Sequence, residues 1–426
     1  VKYCQDEIDR IPPLTTVMTF QEWLSSTSYT QKVKRKMQWL HDAQYCVAPD
    51  HPHAKLGFLK KERYDRFKHA RGIAGCSLHE KIFTGATVKS CERAAYHFWR
   101  AYVLKGIPTD CRARELLKRL PPGCQLLGLD FSSFEASVTR DLAIGVECYF
   151  FRHLVGDLRP DVCNYLYDCA MNPKVIKYRQ WKLKVKATRC SGDMFTSLCN
   201  TVINLLLVRF VCKKYGYDPV GVVEGDDGLF AMTGPVPTVD DFAKLGFTAK
   251  CELFPSVNLA GFCKMKFDES GVQVTDVVER LVKFGWTASK TTCPRTLWGL
   301  LWTKALSLKA EFPGCPVLAP FADWVIGECL KSGYRLNRIY DENRGWIRYE
   351  LENSTVNFRA KAVISQRTRV FVQEVYNISP EEQLSLESSF VGPIHRLTHR
   401  VLTSRLKRDW EENWGRYVQE VRWQKI

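Results

Sequence analysis

Residues 221–230 read GVVEGDDGLF, and this stretch limits what the chain can fold into. Asp226 and Asp227 are adjacent, with Val222 and Val223 before them and Leu229 and Phe230 after. The apolar runs predict two strands, and Gly225 and Gly228 permit a tight turn between them. Such a hairpin presses two like charges against a core, where unpaired charge is costly. An acidic turn left in solvent avoids the conflict, since Asp and Gly are common turn residues. A hard divalent cation resolves it differently, because Mg²⁺ takes oxygen ligands and tolerates a dense carboxylate cluster.

A second acidic pair lies upstream in LPPGCQLLGLDFSSFEASV. Pro121, Pro122 and Gly123 predict a turn. Gln125 to Leu129 then reads as a buried strand with Asp130 at its end, and Ser132 or Ser133 as the cap of a following helix. Glu135 follows five residues after Asp130. If the two strands are neighbours, Asp130 and Asp226 share ions, and a two-metal site suits in-line phosphoryl displacement. Between them, SGDMFTSLCN (191–200) reads as a loop entering a helix that ends near Lys213, Lys214 and Gly216. Thr196, Asn200 and Asn204 fall at i, i+4 and i+8, on one helical face. Ser191, Asp193, Thr196 and Asn200 offer polar groups for ribose hydroxyls. A capped helix with buried polar residues accounts for Ser191 and Asp193, but not for Thr196 and Asn200 sharing a face.

Charge narrows the partner. The 426 residues carry 62 Lys+Arg against 46 Asp+Glu, a net +16. That excess favours a polyanion, either nucleic acid or an anionic membrane face. The run KKERYDRFKHAR (60–71) interleaves Tyr64, Phe67 and His69 with its cations, a composition that suits phosphate contacts with stacking; a solvated face is the plainer reading of this run and of KVKRK (32–36). The 17 cysteines include no C-x2-C pair, so they read as free thiols in a reducing compartment, many filling the core. No run of about 18 apolar residues occurs; the longest, Val202 to Val211, is interrupted by Asn204 and Arg209. The chain opens on Val1, which suggests part of a longer polypeptide. His51 and His53 read as surface or capping residues. Residues 395–426 read as one or two basic amphipathic helices, with Trp410, Trp414 and Trp423 packing.

DFSSFE, SGDMFTSLCN and EGDDG, in this order, resemble motifs A, B and C of the viral RNA-directed RNA polymerases, of the forms D-x4-[DE], S-G-x3-T-x3-N and G-D-D. The wording is most similar to positive-strand RNA viruses of the tombusvirus- and nodavirus-like groups. FLKKERYDRFKHARGI (58–73) resembles the basic fingertip motif F, KLGFTAKCE (244–252) motif D, and NLAGFCKMKF (258–267) the motif E hairpin between palm and thumb. KALSLKAEFPGCPVL (304–318) is similar to the group's thumb. One residue departs from the pattern: the second acidic position of motif A, most often Asp, is Glu135 here.

The resemblance implies an α+β right hand: an antiparallel palm sheet backed by helices, with fingers and a helical thumb. It implies an N-terminal segment with fingers and fingertips over 1–118, palm over 119–144, a fingers insertion over 145–189, palm again over 190–265, and thumb with a C-terminal extension over 266–426. Asp130, Asp226 and Asp227 would hold two Mg²⁺ ions, with Mn²⁺ as a substitute. Lys61 and Arg71 would cover the triphosphate, with Lys60 and Lys68 as lesser candidates. Lys250 would act as general acid. Glu135 and Asn200 would sense the ribose 2′-hydroxyl, with Ser191, Gly192, Asp193 and Thr196 lining the substrate site. The implied partners are template and nascent RNA, ribonucleoside triphosphates, viral replicase subunits, and a host membrane reached through segments outside this chain, in the host-cell cytoplasm at membrane-associated replication complexes. Two rivals stay open. A reverse transcriptase shares the acidic palm, but its hairpin carries an aromatic-x-Asp-Asp and it lacks the S-G-x3-T-x3-N helix. A catalytically dead RNA-binding replication protein has no use for clustered acid beside its polyanion. A P-loop nucleoside triphosphatase is disfavoured by the absence of G-x4-G-K-[ST].

Overall fold

The computed structural model describes residues 1–44, 47–49, 54–60, 71–186, 189–287, 291–340, 346–394 and 424–425. The chain divides into two compact units. The first holds Val1–Lys61, Ala70–Lys105 and Arg119–Ser256; the second holds Gly106–Lys118 and Val257–Ile426. The motif E segment thus groups with the second unit.

The first unit contains β1 (Ala54–Leu59), β2 (Gly72–Gly75), β3 (Gln125–Phe131), β4 (Lys174–Lys177), β5 (Lys182–Val185), β6 (Val220–Glu224), β7 (Asp227–Met232) and β8 (Ala249–Phe254). They form two four-stranded sheets, ordered β2-β1-β4-β5 and β6-β7-β3-β8. The second sheet is antiparallel throughout. The first contains one parallel pair, β1 with β4, which the sequence did not announce. Leu126 and Leu127 are consecutive on β3, so they face opposite sides, and both are buried. Both faces of that sheet are therefore covered, which is why β3 and β7 read as apolar runs rather than alternations. The predicted strand–turn–strand over 218–232 is β6 and β7.

The helix Thr196–Lys214 backs this sheet, with Leu198, Val202, Leu205, Leu206 and Val208 in the core. Each such buried side chain contributes about 1.5–3 kcal/mol, and Leu205→Ala would cost about 2–5 kcal/mol. By length and apolarity alone this helix could cross a bilayer, but most of it is buried inside the unit. Every described cysteine is a free thiol, and nine are buried, as core fillers should be.

In the second unit the helices Pro294–Glu311 and Leu318–Lys331 share a core through Leu301, Ala305, Leu308, Phe321 and Val325. Lys309 is buried there; it pairs with Asp323 and donates to the carbonyls of Phe358 and Ala360. Short strands β9 (Lys266–Phe267) and β10 (Gln273–Val274) pair antiparallel, as do β11 (Trp286–Thr287) and β12 (Gln424–Lys425). Phe262 and Met265 exchange backbone hydrogen bonds of 3.1 and 2.9 Å around Cys263 and Lys264, so the motif E segment does turn back on itself. Gln424 and Lys425 correct the expectation of a helical tail at that point: their backbone joins a ladder. The remaining expectations for the tail, including Trp410, Trp414 and Trp423, lie outside the described residues, as do those for His51 and His53.

Candidate active site

The β6–β7 register fixes the acidic turn. Val223 pairs with Gly228 and Glu224 with Asp227, which leaves Gly225 and Asp226 as a two-residue loop. Gly225 has φ 64°. A positive φ at the first central position is what a type II′ turn demands, and glycine meets it without a Cβ penalty. On the other side of β7, Leu129 of β3 pairs with Gly228, so Asp130 lies one residue beyond, towards the turn.

The electrostatics show that these acids converge. The Asp226 carboxyl is pushed above the usual carboxylate range, first by burial and then by the facing carboxylates of Glu135 and Asp130; its own backbone and the Arg71 guanidinium pull the other way. Three acids drawn from β3, the segment after it and the turn therefore share one field. The donors are all carboxylate oxygens, and their charges repel without a counter-ion, so the set fits a hard divalent cation. Asp130, Asp226 and the adjacent Asp227 are the residues that would hold it.

The helix behind the turn locks it. Thr201 Oγ1 accepts from the Gly225 amide at 2.9 Å, and Asn204 Nδ2 donates to the carbonyls of Gly225 and Asp227 at 3.2 Å each. Asn204 belongs to the helical face seen in the sequence; Thr201 was not anticipated, because a threonine in an apolar helix carries no local signal. Asn200 Nδ2 donates to Glu135 Oε1 at 3.3 Å, which brings the two residues expected at the ribose side by side. Glu135 itself sits on the short helix Phe134–Ser137. The expectation of a serine cap there needs correcting: Ser133 precedes the helix, but at φ 54° and with no side-chain cap bond. The tight turn instead lets Phe134 bury against Phe131 and Phe247, with ring centroids 5.2 and 5.3 Å away.

The loop before the long helix is pinned from below. Gly192 donates to the Ala74 carbonyl at 3.0 Å, and a Cβ there would lie 2.7 Å from that oxygen, so only glycine allows the contact. Asp193 Oδ2 accepts from the Cys190 amide at 3.0 Å, and Oδ1 lies 2.7 Å from Lys55 Nζ. Thr196 Oγ1 donates to the Cys190 carbonyl at 2.9 Å. Asp193 and Thr196 are thus engaged within the protein, while Ser191 is half-exposed. Cys76, Glu80 and Asp193 lie close enough together to suggest a metal site. Lys55 already occupies that role, 2.5 Å from Glu80 and 2.7 Å from Asp193. Burial alone would lower its ammonium, but Asp193 foremost outweighs that and pushes it up.

Two further features were missed. Arg189 is 4% exposed and donates through Nη1 to Glu147 and through Nη2 to Asn200 Oδ1. Glu147 lies in a π-helical turn, Ala143–Cys148, a distortion frequent at functional sites. Lys250 of β8 pairs directly with Asp130 of β3, so both side chains leave the same face of the sheet; its own side chain is exposed, 3.6 Å from Glu252. Lys60 donates its amide to the Arg71 carbonyl at 2.8 Å, closing the β1–β2 ends. Lys61 and Lys68 lie outside the described residues.

A family model described as viral RNA-dependent RNA polymerase matches residues 101–315. The RNA-directed RNA polymerase of Groundnut rosette virus (strain MC1) is 25% identical over 283 residues, covering 62% of this chain and 32% of that protein. That of Panicum mosaic virus (strain United States/Kansas 109S) is 24% identical over 316 residues, covering 68% of this chain and 30% of that protein. The chain thus spans about a third of the length of these curated relatives. With half its length matched to the family model, and with the acidic turn, the Asn–Glu pair and the loop between them assembled in one unit, the chain belongs to the viral RNA-dependent RNA polymerases.

Proposed function

We propose that this chain is the catalytic part of an RNA-directed RNA polymerase that copies a viral RNA from ribonucleoside triphosphates. The carrying observation is the strand register that brings Asp130, at the end of β3, beside the β6–β7 turn that holds Asp226. In this reading the first unit supplies fingers and palm, and the second the thumb.

Held by Asp130 and Asp226 with Asp227 in support, two Mg²⁺ ions, or Mn²⁺ in their place, would activate a primer 3′-hydroxyl and offset charge on the departing pyrophosphate. The remaining work falls to the chain. Arg71, within electrostatic reach of Asp226, orients the triphosphate on the acidic turn, and Lys61 joins it. As the 3′-oxygen bonds to the α-phosphorus, its hydroxyl proton leaves to solvent, the bond to the pyrophosphate breaks, and Lys250 gives that leaving group a proton. Its place opposite Asp130 on the same sheet face supports this role. Glu135 and Asn200 sense the ribose 2′-hydroxyl, with Ser191 beside them. Gly192, Asp193 and Thr196 hold the loop that presents Ser191. The cationic excess meets the RNA backbone largely without regard to sequence.

The test is extension of a primed RNA with four ribonucleotides and Mg²⁺. Incorporation that stops on chelation, and that prefers ribonucleotides to deoxynucleotides, is expected. Preference for deoxynucleotides would indicate a reverse transcriptase; RNA binding without incorporation would indicate an inactive replication protein.

A further inference from the structure

Arg189 lies directly before the loop that carries Ser191, buried and bound on two sides. We infer that it is a positioning residue for ribose selection: it fixes which end of the Asn200 amide faces Glu135. This rests on the proposed sugar-sensing role of Asn200 and Glu135.

Donor and acceptor inventory sets the orientation. A guanidinium only donates. Of the two ends of the Asn200 amide it can meet only Oδ1, and Arg189 Nη2 does so. Nδ2 is then turned the other way, where Glu135 Oε1 accepts it at 3.3 Å. Were the amide flipped, its oxygen would face a carboxylate and its NH₂ a cation, two repulsive contacts in a buried setting. The arginine is itself fixed by Glu147 on its other arm. A relay therefore runs from Glu147 through Arg189 and Asn200 to Glu135, and its last member is the departure from the usual Asp. The longer Glu135 side chain reaches the amide that Arg189 presents. Burial works against the Arg189 charge, but Glu147 foremost, and Glu135 among the others, more than offset it, so Glu135 lies within its field.

Arg189→Lys separates positioning from bulk stability. The lysine keeps a cation for Glu147, but its single ammonium lacks the fork that spans two acceptors. Single-nucleotide kcat/KM is measured for ribo- and deoxyribonucleotides in Arg189→Lys, Asn200→Ala, Glu135→Ala and the Arg189→Lys/Asn200→Ala double variant. The expected result is a fall of about tenfold in the ribose preference of Arg189→Lys, from deoxynucleotides gaining relative to ribonucleotides. The double variant should match Asn200→Ala alone, because the two act in series. If Arg189→Lys lowers both substrates equally while Asn200→Ala relaxes the preference, the arginine is merely structural and the inference fails, though the sugar-sensing reading stands. If neither Asn200→Ala nor Glu135→Ala changes the preference, the sugar-sensing reading falls and the inference with it. Should Arg189→Lys not fold, Glu147→Gln decides, because it loosens the other arm. A loss of about threefold in preference is then expected, and no loss would overturn the inference.

Discussion

Two groups of carboxylates in the first unit differ in how their charge is met. Glu80, Asp193 and Glu147 are deeply buried, and each has a buried cation of the chain beside it: Lys55 for the first two, Arg189 for the third. Asp130, Glu135 and Asp226 face one another at the acidic turn, and among the described residues none of them makes a salt bridge to Lys or Arg. The first group is complete; the second stores repulsion that an added cation would relieve. Proximity of ligand-type side chains therefore fails as a guide here, because the Cys76–Glu80–Asp193 cluster found among the described residues is already filled by an ammonium. What marks the second group is charge left incomplete.

Four changes would break or sharpen that contrast. Asp226→Ala should remove at least about ten-thousandfold of kcat, several kcal/mol of transition-state stabilisation, while the melting temperature holds or rises as repulsion is relieved; near-normal primer extension would break the contrast outright. Lys55→Met leaves Glu80 and Asp193 buried without their cation, and should cost about 3–5 kcal/mol in denaturant unfolding of the first unit's signal; an undiminished midpoint would mean that cluster is not self-completed. Lys250→Gln should lower kcat by about a hundredfold; unaltered kinetics would leave Lys250 as an ordinary surface residue. The smallest effect concerns pH. Because the folded, metal-free chain raises the Asp226 carboxyl, it holds that proton more tightly than the unfolded chain does. The group thus costs no stability at low pH, and its penalty grows as pH rises from the ordinary carboxylate range through the raised one. Mg²⁺ must displace the same proton, so its stabilisation in thermal melting should shrink by a few degrees as pH falls from neutral towards the ordinary carboxylate range; a pH-independent gain would contradict this.

The legible parts of the molecule were those with short-range signals. Gly225 between apolar runs announces its own turn, Gln125–Leu129 its strand, and the i, i+4 spacing of Asn200 and Asn204 their common face. Order along the chain then tied these pieces together. The rest depends on contacts far apart in sequence. Arg189 sits in a basic stretch where its burial has no local sign, and Glu147 is a single acid within an apolar helical segment. Lys55 and Asp193 meet across 138 positions through sheet pairing that includes an unforeseen parallel strand. Ser133 misled because its residue type favours a cap, whereas packing of Phe134 dictates a left-handed turn.

Catalysis of this kind requires that carboxylates from β3 and from the β6–β7 turn serve the same ion. Mn²⁺ titration followed by electron paramagnetic resonance, on the wild type, Asp130→Asn and Asp226→Asn, tests this directly. Both single variants should weaken binding, each by about tenfold or more. Wild-type Mn²⁺ affinity in Asp130→Asn, beside a loss in Asp226→Asn, would contradict it.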